Sequence, residues 1–197
     1  MKYFENSNIF HYTWEQVAQC FWKRYPNPMS THVLSEDTLS YEVRDGKLYT
    51  KRLLVKTSGV PKWGQKFVST RFVKVLEESV MDPKERIFVT YTRNICMAKI
   101  MSVIEKVTYK TSPENSKWTV AHRSAWIDSE VNGFRTALTT FGLRIFKKNC
   151  KRMVKGYNWA LQKMFPNSNQ RSKTDLLKDL AKTKANGIFV SCEPPKA

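Results

Sequence analysis

A chain of 197 residues is long enough for one domain with a sizeable core. Its 41% hydrophobic and 13% aromatic content excludes a disordered polymer. A net charge of +17 points to polyanions, whether nucleic acid, an anionic membrane surface or an acidic ligand, and it is not confined to a tail, because residues 1–165 hold 28 Lys+Arg against 14 Asp+Glu.

Residues 1–12 are aromatic and extended and predict a first strand. Thr13-Trp14-Glu15-Gln16 fits a capping box, and Trp14, Val17, Cys20 and Phe21 follow at helical spacing. This helix is expected to end before Tyr25-Pro26, with Arg24 on its final turn. Runs at about residues 31–44 and 47–57 flank Asp45-Gly46, a hairpin signal because glycine tolerates positive φ. Val73–Glu77 and Arg86–Tyr91 flank Asp82-Pro83 in the same manner, and a third pair, about Ile100–Tyr109 and Trp118–Val131, flanks Ser112–Ser116. The sum is about seven strands in hairpin order, a meandering antiparallel sheet.

From residue 134 to 165 the period changes, with Gly142, Phe146, Cys150, Met153, Tyr157, Ala160 and Met164 forming an apolar stripe that Pro166 terminates. The expected fold is therefore α+β: an antiparallel sheet with a long C-terminal helix packed across it, enclosing a cavity of the kind that holds apolar ligands. Residues 1–166 form the expected domain, and 167–197 a basic, mobile tail. No apolar run approaches the ~20 residues of a membrane span. Glu5 and Glu15 precede the first arginine, unlike an Arg-rich presequence, so a soluble protein is expected.

Three constellations bear chemistry. On the long helix, Arg144, Lys148, Lys151 and Lys155 lie opposite the apolar stripe, as a solvated face that together attracts an anionic bilayer. Asn149 and Arg152 lie on the flank of the stripe, where a guanidinium either forks onto a phosphate or packs its stem with its head in water. In Lys51–Lys56, alternation places Arg52, Leu54 and Lys56 on one face, which suits a phosphate head with acyl tails, though an ordinary exposed face has the same pattern. Third, Val60, Pro61, Lys62, Trp63, Lys66 and Phe67 lie between Gly59 and Val68 in a connection that reads as a lid or membrane contact, or as a loop packed back by its tryptophan.

Signatures of nucleophilic, nucleotide-binding and zinc-dependent enzymes are absent. His11, His32 and His122 fall on separate elements and read as structural. Cys20, Cys96, Cys150 and Cys192 lack metal or redox spacing, so neither a metal nor a cofactor is expected. Acidic residues fall mainly in turns and on strand faces, with no evident acid/base pair. A nucleic-acid-binding domain is the main rival reading, and it requires aromatics exposed beside a basic track.

Arg24-Tyr25-Pro26-Asn27-Pro28 resembles a signature of the PRELI family, mitochondrial proteins that shuttle acidic phospholipids between membranes. Further matches keep the family's order: His32-Val33-Leu34, Arg52-Leu53-Leu54 with Lys56, Pro61-Lys62-Trp63, Val80–Pro83, Thr92-Arg93-Asn94-Ile95, Ala125-Trp126, Phe141-Gly142, Phe146-Lys147 with Asn149, and Lys155-Gly156. The resemblance is closer to the branch of PRELI itself, the phosphatidic acid carriers, than to the slowmo-like branch associated with phosphatidylserine.

It implies a non-enzymatic carrier of phosphatidic acid from the outer to the inner mitochondrial membrane, in support of cardiolipin synthesis. One lipid would sit under the lid. The implied partners are anionic membranes and a small helical intermembrane-space protein with twin cysteine pairs, in a heterodimer, and not nucleic acid. The implied headgroup residues are Arg24, Arg52, Lys56, Asn149 and Arg152. In one departure, Ile145 stands where the family has a basic residue, and Arg144 is one step earlier, rotated by about 100°.

Overall fold

Hairpin after hairpin, the chain adds neighbouring strands and then crosses the finished sheet with a helix. The computed structural model describes residues 1–57 and 72–166. The elements run β1 (Lys2–Phe10), α1 (Trp14–Phe21), β2 (Val33–Arg44), β3 (Lys47–Thr57), β4 (Phe72–Asp82), β5 (Ile87–Asn94), β6 (Ser102–Thr111), β7 (Thr119–Asp128) and α2 (Arg135–Met164). All strand pairs are antiparallel, in the order β1-β7-β6-β5-β4-β3-β2.

Local chemistry accounts for the boundaries. Asp45 and Gly46 both have positive φ, 51° and 72°, as the tight turn between β2 and β3 requires. The Thr13–Gln16 capping box forms as expected and satisfies donors that the first turn of α1 leaves open. One expectation is corrected: α1 stops at Phe21, so Arg24 lies beyond the helix. Its Nη1 turns back and donates to the Phe21 carbonyl at 2.7 Å, capping an acceptor that the helix end leaves unpaired.

The densest core lies where α1 and the C-terminal half of α2 meet the sheet. Phe10, Phe21, Phe88, Tyr109 and Tyr157 are buried there, with the Phe21 and Phe88 rings edge-to-face at 4.6 Å. Tyr157 donates its hydroxyl to the Val17 carbonyl at 2.7 Å and ties the two helices together. The expected stripe of α2 faces inward at Gly142, Cys150, Tyr157 and Ala160, whereas Phe146, Met153 and Met164 are only half-buried. Gly156 and Leu161 are buried as well, because α1 and the bend after it approach this half of α2 from a second side.

The far edge strand, β2, is exposed along most of its length and has register irregularities at Val33/Ser35 and at Thr38/Ser40. Such breaks blunt an edge against unwanted pairing.

Candidate functional site

Alternation along β3 buries Arg52 and Leu54 on the helix-facing side, with Lys56 half-buried beyond them. Arg52 stands directly opposite Glu77 of β4, which is equally buried. Glu77 receives Arg24 Nη2 on Oε2 at 2.6 Å and faces Arg52 Nε with Oε1 at 3.2 Å. Arg52 Nη2 in turn reaches Glu36 Oε2 at 2.5 Å. Two guanidiniums and two carboxylates thus form one linked cluster, and the Phe21 ring lies against both arginines. Burial opposes the Arg24 charge, but Glu77, with help from the phenols of Tyr25, Tyr109 and Tyr157, holds its pKa above the ordinary arginine value. Burial pushes the Glu36 carboxyl up, against the pull of Arg24 and Arg52.

The cluster begins a polar row across the sheet. Glu77 stands opposite Thr92, and Thr92 opposite Glu105, to which it donates at 3.2 Å. Glu105 accepts from Arg123 Nε at 2.5 Å, and Arg123, almost completely buried under α2, also lies within 3.7 Å of the Met153 sulfur. On one side of this row lies the aromatic core. On the other lie Leu54, opposite the half-buried Val75, and Phe4 in edge contact with Phe146 of α2.

The bend Arg24–Met29 joins this cluster to α2. Asn27 donates to the Arg24 carbonyl at 2.7 Å and accepts from the Met29 amide at 3.0 Å. The Met29 carbonyl accepts from Arg152 Nε at 3.1 Å. Arg152 is half-buried on the flank of the helix, as is Asn149. Arg152 and Lys56 both act on His32, whose pKa is lowered by burial first and then by these two cations. The Thr57 amide donates to the His32 carbonyl at 2.8 Å, Val33 stands opposite Lys56, and Arg152 holds Met29, so β3, α2 and the segment before β2 bring Lys56, Arg152 and His32 into one region. Neither Lys56 nor Arg152 has a carboxylate partner among the described residues.

Along the outside of α2, a hollow of about 380 Å³ is lined by Arg144, Lys147, Lys148, Lys151, Arg152 and Lys155. Arg144, Lys148, Lys151 and Lys155 are exposed, as their angular position predicts. Arg152 borders both this outer basic strip and the inner cluster.

Of the five expected headgroup residues, Arg24 and Arg52 lie in the buried ion cluster, while Lys56 and Arg152 lie near His32. Asn149 lies about one turn before Arg152 on α2. Val60, Pro61, Lys62, Trp63, Lys66 and Phe67 lie outside the described residues. Sequence reasoning missed Glu36, Glu77, Glu105, Arg123 and His32. Glu77 falls on a strand face, as expected of the acidic residues, but takes the inward phase of Val73-x-Val75-x-Glu77. A carboxylate at an apolar phase was the available signal. His32, read as structural, has its pKa lowered by burial and by both Lys56 and Arg152.

Among the described residues, no three His, Cys, Asp or Glu side chains gather as a metal site, and no helix is long and apolar enough to cross a membrane. Cys20, Cys96 and Cys150 are free thiols.

The comparisons agree with this architecture. The model of the PRELI-like family matches residues 15–168. The chain is 41% identical over 167 residues to PRELI domain-containing protein 1, mitochondrial, of Gallus gallus, covering 83% of this chain and 78% of that protein. It is 38% identical over 189 residues to the Homo sapiens protein of that name, covering 94% and 86%. To Protein UPS2, mitochondrial, of Saccharomyces cerevisiae it is 33% identical over 186 residues, covering 91% and 80%. Among solved structures, TTHA0849 of Thermus thermophilus aligns with a TM-score of 0.57 at 13% identity, covering 83% of this chain and 99% of that one. That likeness shows a shared fold, an antiparallel sheet with a long C-terminal helix. By the family model and by relatives aligned over most of their length, the chain belongs to the PRELI-like family.

Proposed function

We propose that this protein is a phospholipid carrier that takes a phosphatidic acid headgroup at Lys56, Arg152 and His32, with Asn149 beside them and Arg24 and Arg52 behind. The observation that carries this reading is the charge balance. Glu36 and Glu77 match Arg52 and Arg24, which leaves Lys56 and Arg152, among the described residues, without a carboxylate partner around His32. A phosphate monoester carries about −1.5 to −2 charge near neutral pH. Two cations balance that charge, and an unbalanced buried charge is costly. A phosphatidylserine headgroup, a phosphodiester with its own ammonium and carboxylate, leaves one of them over.

The acyl chains lie on the apolar side of the polar row, over Leu54 and Val75, and the connection that contains Trp63 and Phe67, outside the described residues, is assigned as the lid from the family resemblance. The outer basic strip of α2 meets the anionic bilayer, where each cation is worth about 1 kcal/mol. Carriage needs no covalent step, so the protein acts as a transporter and not as an enzyme. The relatives' names include the word mitochondrial. With the family resemblance, this supports work in the intermembrane space, from outer to inner membrane in support of cardiolipin synthesis. It likewise supports a heterodimer with a small helical protein bearing twin cysteine pairs. Residues 1–166 constitute the carrier domain and 167–197 a tail.

Transfer of fluorescent phosphatidic acid, phosphatidylserine and phosphatidylcholine between vesicles tests the reading. Phosphatidic acid is expected to move fastest. Preference for phosphatidylserine would reassign the headgroup, and indifference to headgroup would remove the charge argument.

A further inference from the structure

The two carboxylates of the ion cluster are held differently. Glu77 lies between two arginines, and its side chain is 5% exposed. Among the described residues Glu36 forms an ion pair with Arg52 alone, its side chain is 19% exposed, and it sits on the edge strand between the irregularities at Val33/Ser35 and Thr38/Ser40. Backbone on either side of Glu36 is therefore released from regular pairing, and no strand among the described residues pairs with β2 on its other edge. Arg52 is 4% exposed in its side chain, and its Nε–H lacks a hydrogen bond although Glu77 Oε1 lies 3.2 Å away. Glu36 stands opposite Leu54, one inward step along β3 from Lys56.

A buried guanidinium cannot stand alone, so any anion that takes Arg52 must replace the carboxylate already there. Glu77 cannot be the group that leaves, since its departure would strand Arg24, which pairs with no other carboxylate among the described residues. Glu36 can, because its path to solvent is open and burial already disfavours its charged form.

Resting on the carrier reading, we propose that Glu36 is an exchangeable counter-ion of the headgroup site: it holds Arg52 when the site is empty, yields it to the lipid phosphate, and reclaims it on release. Glu36 thereby acts as a positioning residue that sets residence time, while Glu77 is a permanent part of the site.

The test is Glu36→Gln in the full chain, with dipalmitoyl phosphatidic acid in phosphatidylcholine vesicles. Loading is read by native mass spectrometry, and release by the rate of appearance in acceptor vesicles. Losing one charged competitor should slow release on the order of tenfold while loading rises. Wild-type-like loading and release in a folded variant would overturn the exchange and leave the carrier reading standing. Parallel loss of loading and of thermal stability would make Glu36 a structural ion-pair partner and also overturn it. If wild-type protein takes up no phosphatidic acid, the carrier reading fails and the exchange falls with it.

Discussion

Gly156 of α2 faces Asn27 so closely that a Cβ there would lie 2.4 Å from Asn27 Oδ1 and 2.9 Å from Nδ2. Asn27 cannot swing away without releasing the Arg24 carbonyl and the Met29 amide. The bend after α1 is thus a clasp: Arg24 anchors it to Glu77 of the sheet, and Asn27 and Met29 seat it on α2. Gly156→Ala normally gains about 1 kcal/mol inside a helix. Here it should destabilise by about 1–3 kcal/mol through overpacking. Urea denaturation checks this, and a stabilised variant would show that the clasp yields.

Glu77→Ala should cost about 3–5 kcal/mol, because it leaves Arg24 and Arg52 buried beside Glu36 alone. The comparison is Glu78→Ala on the opposite face of β4, whose pairing with Lys51 is on the surface and contributes about 0–1 kcal/mol. Equal losses in chemical denaturation would contradict the assigned burial.

Acidification should expose His32. Its folded pKa lies below the ordinary 6.5, through burial and through Lys56 and Arg152. As pH falls below that value, the unfolded chain takes a proton that the folded chain refuses, so stability declines until the folded pKa is passed. Glu36, raised by burial, acts in the opposite sense at lower pH, where the folded chain takes its proton first. The difference in melting temperature between wild type and His32→Gln should therefore change between about pH 7 and about pH 5 in favour of the variant. A bound anion beside His32 should diminish that change. A pH-independent difference would place His32 away from the cations.

The two faces of α2 should separate by assay. Lys148→Gln with Lys151→Gln and Lys155→Gln should weaken vesicle binding by up to about 1 kcal/mol per charge, with binding of a soluble short-chain phosphatidic acid retained. Arg152→Gln should reduce short-chain binding more than vesicle binding. Matching effects of both variants in both assays would merge the two zones into one.

The hairpin order, the capping box, the long helix and the shared face of Arg52, Leu54 and Lys56 were legible because each rests on local period or turn chemistry. Arg52 opposite Glu77 was not, since alternation shows which face a residue takes but not which residue of a neighbouring strand stands beside it. The end of α1 was missed for a related reason. Two prolines mark where a helix must have stopped, whereas Arg24 turning back onto the Phe21 carbonyl depends on Glu77, 53 positions away. His32 looked isolated in the sequence because its neighbours Lys56 and Arg152 come from a strand and a helix.

The most direct measurement is native mass spectrometry of the protein after incubation with vesicles of mixed phosphatidic acid, phosphatidylserine and phosphatidylcholine. The charge balance at Lys56, Arg152 and His32 predicts one phosphatidic acid per chain, enriched over its share of the vesicle. Lipid-free protein, or bound lipid in proportion to vesicle composition, would contradict it.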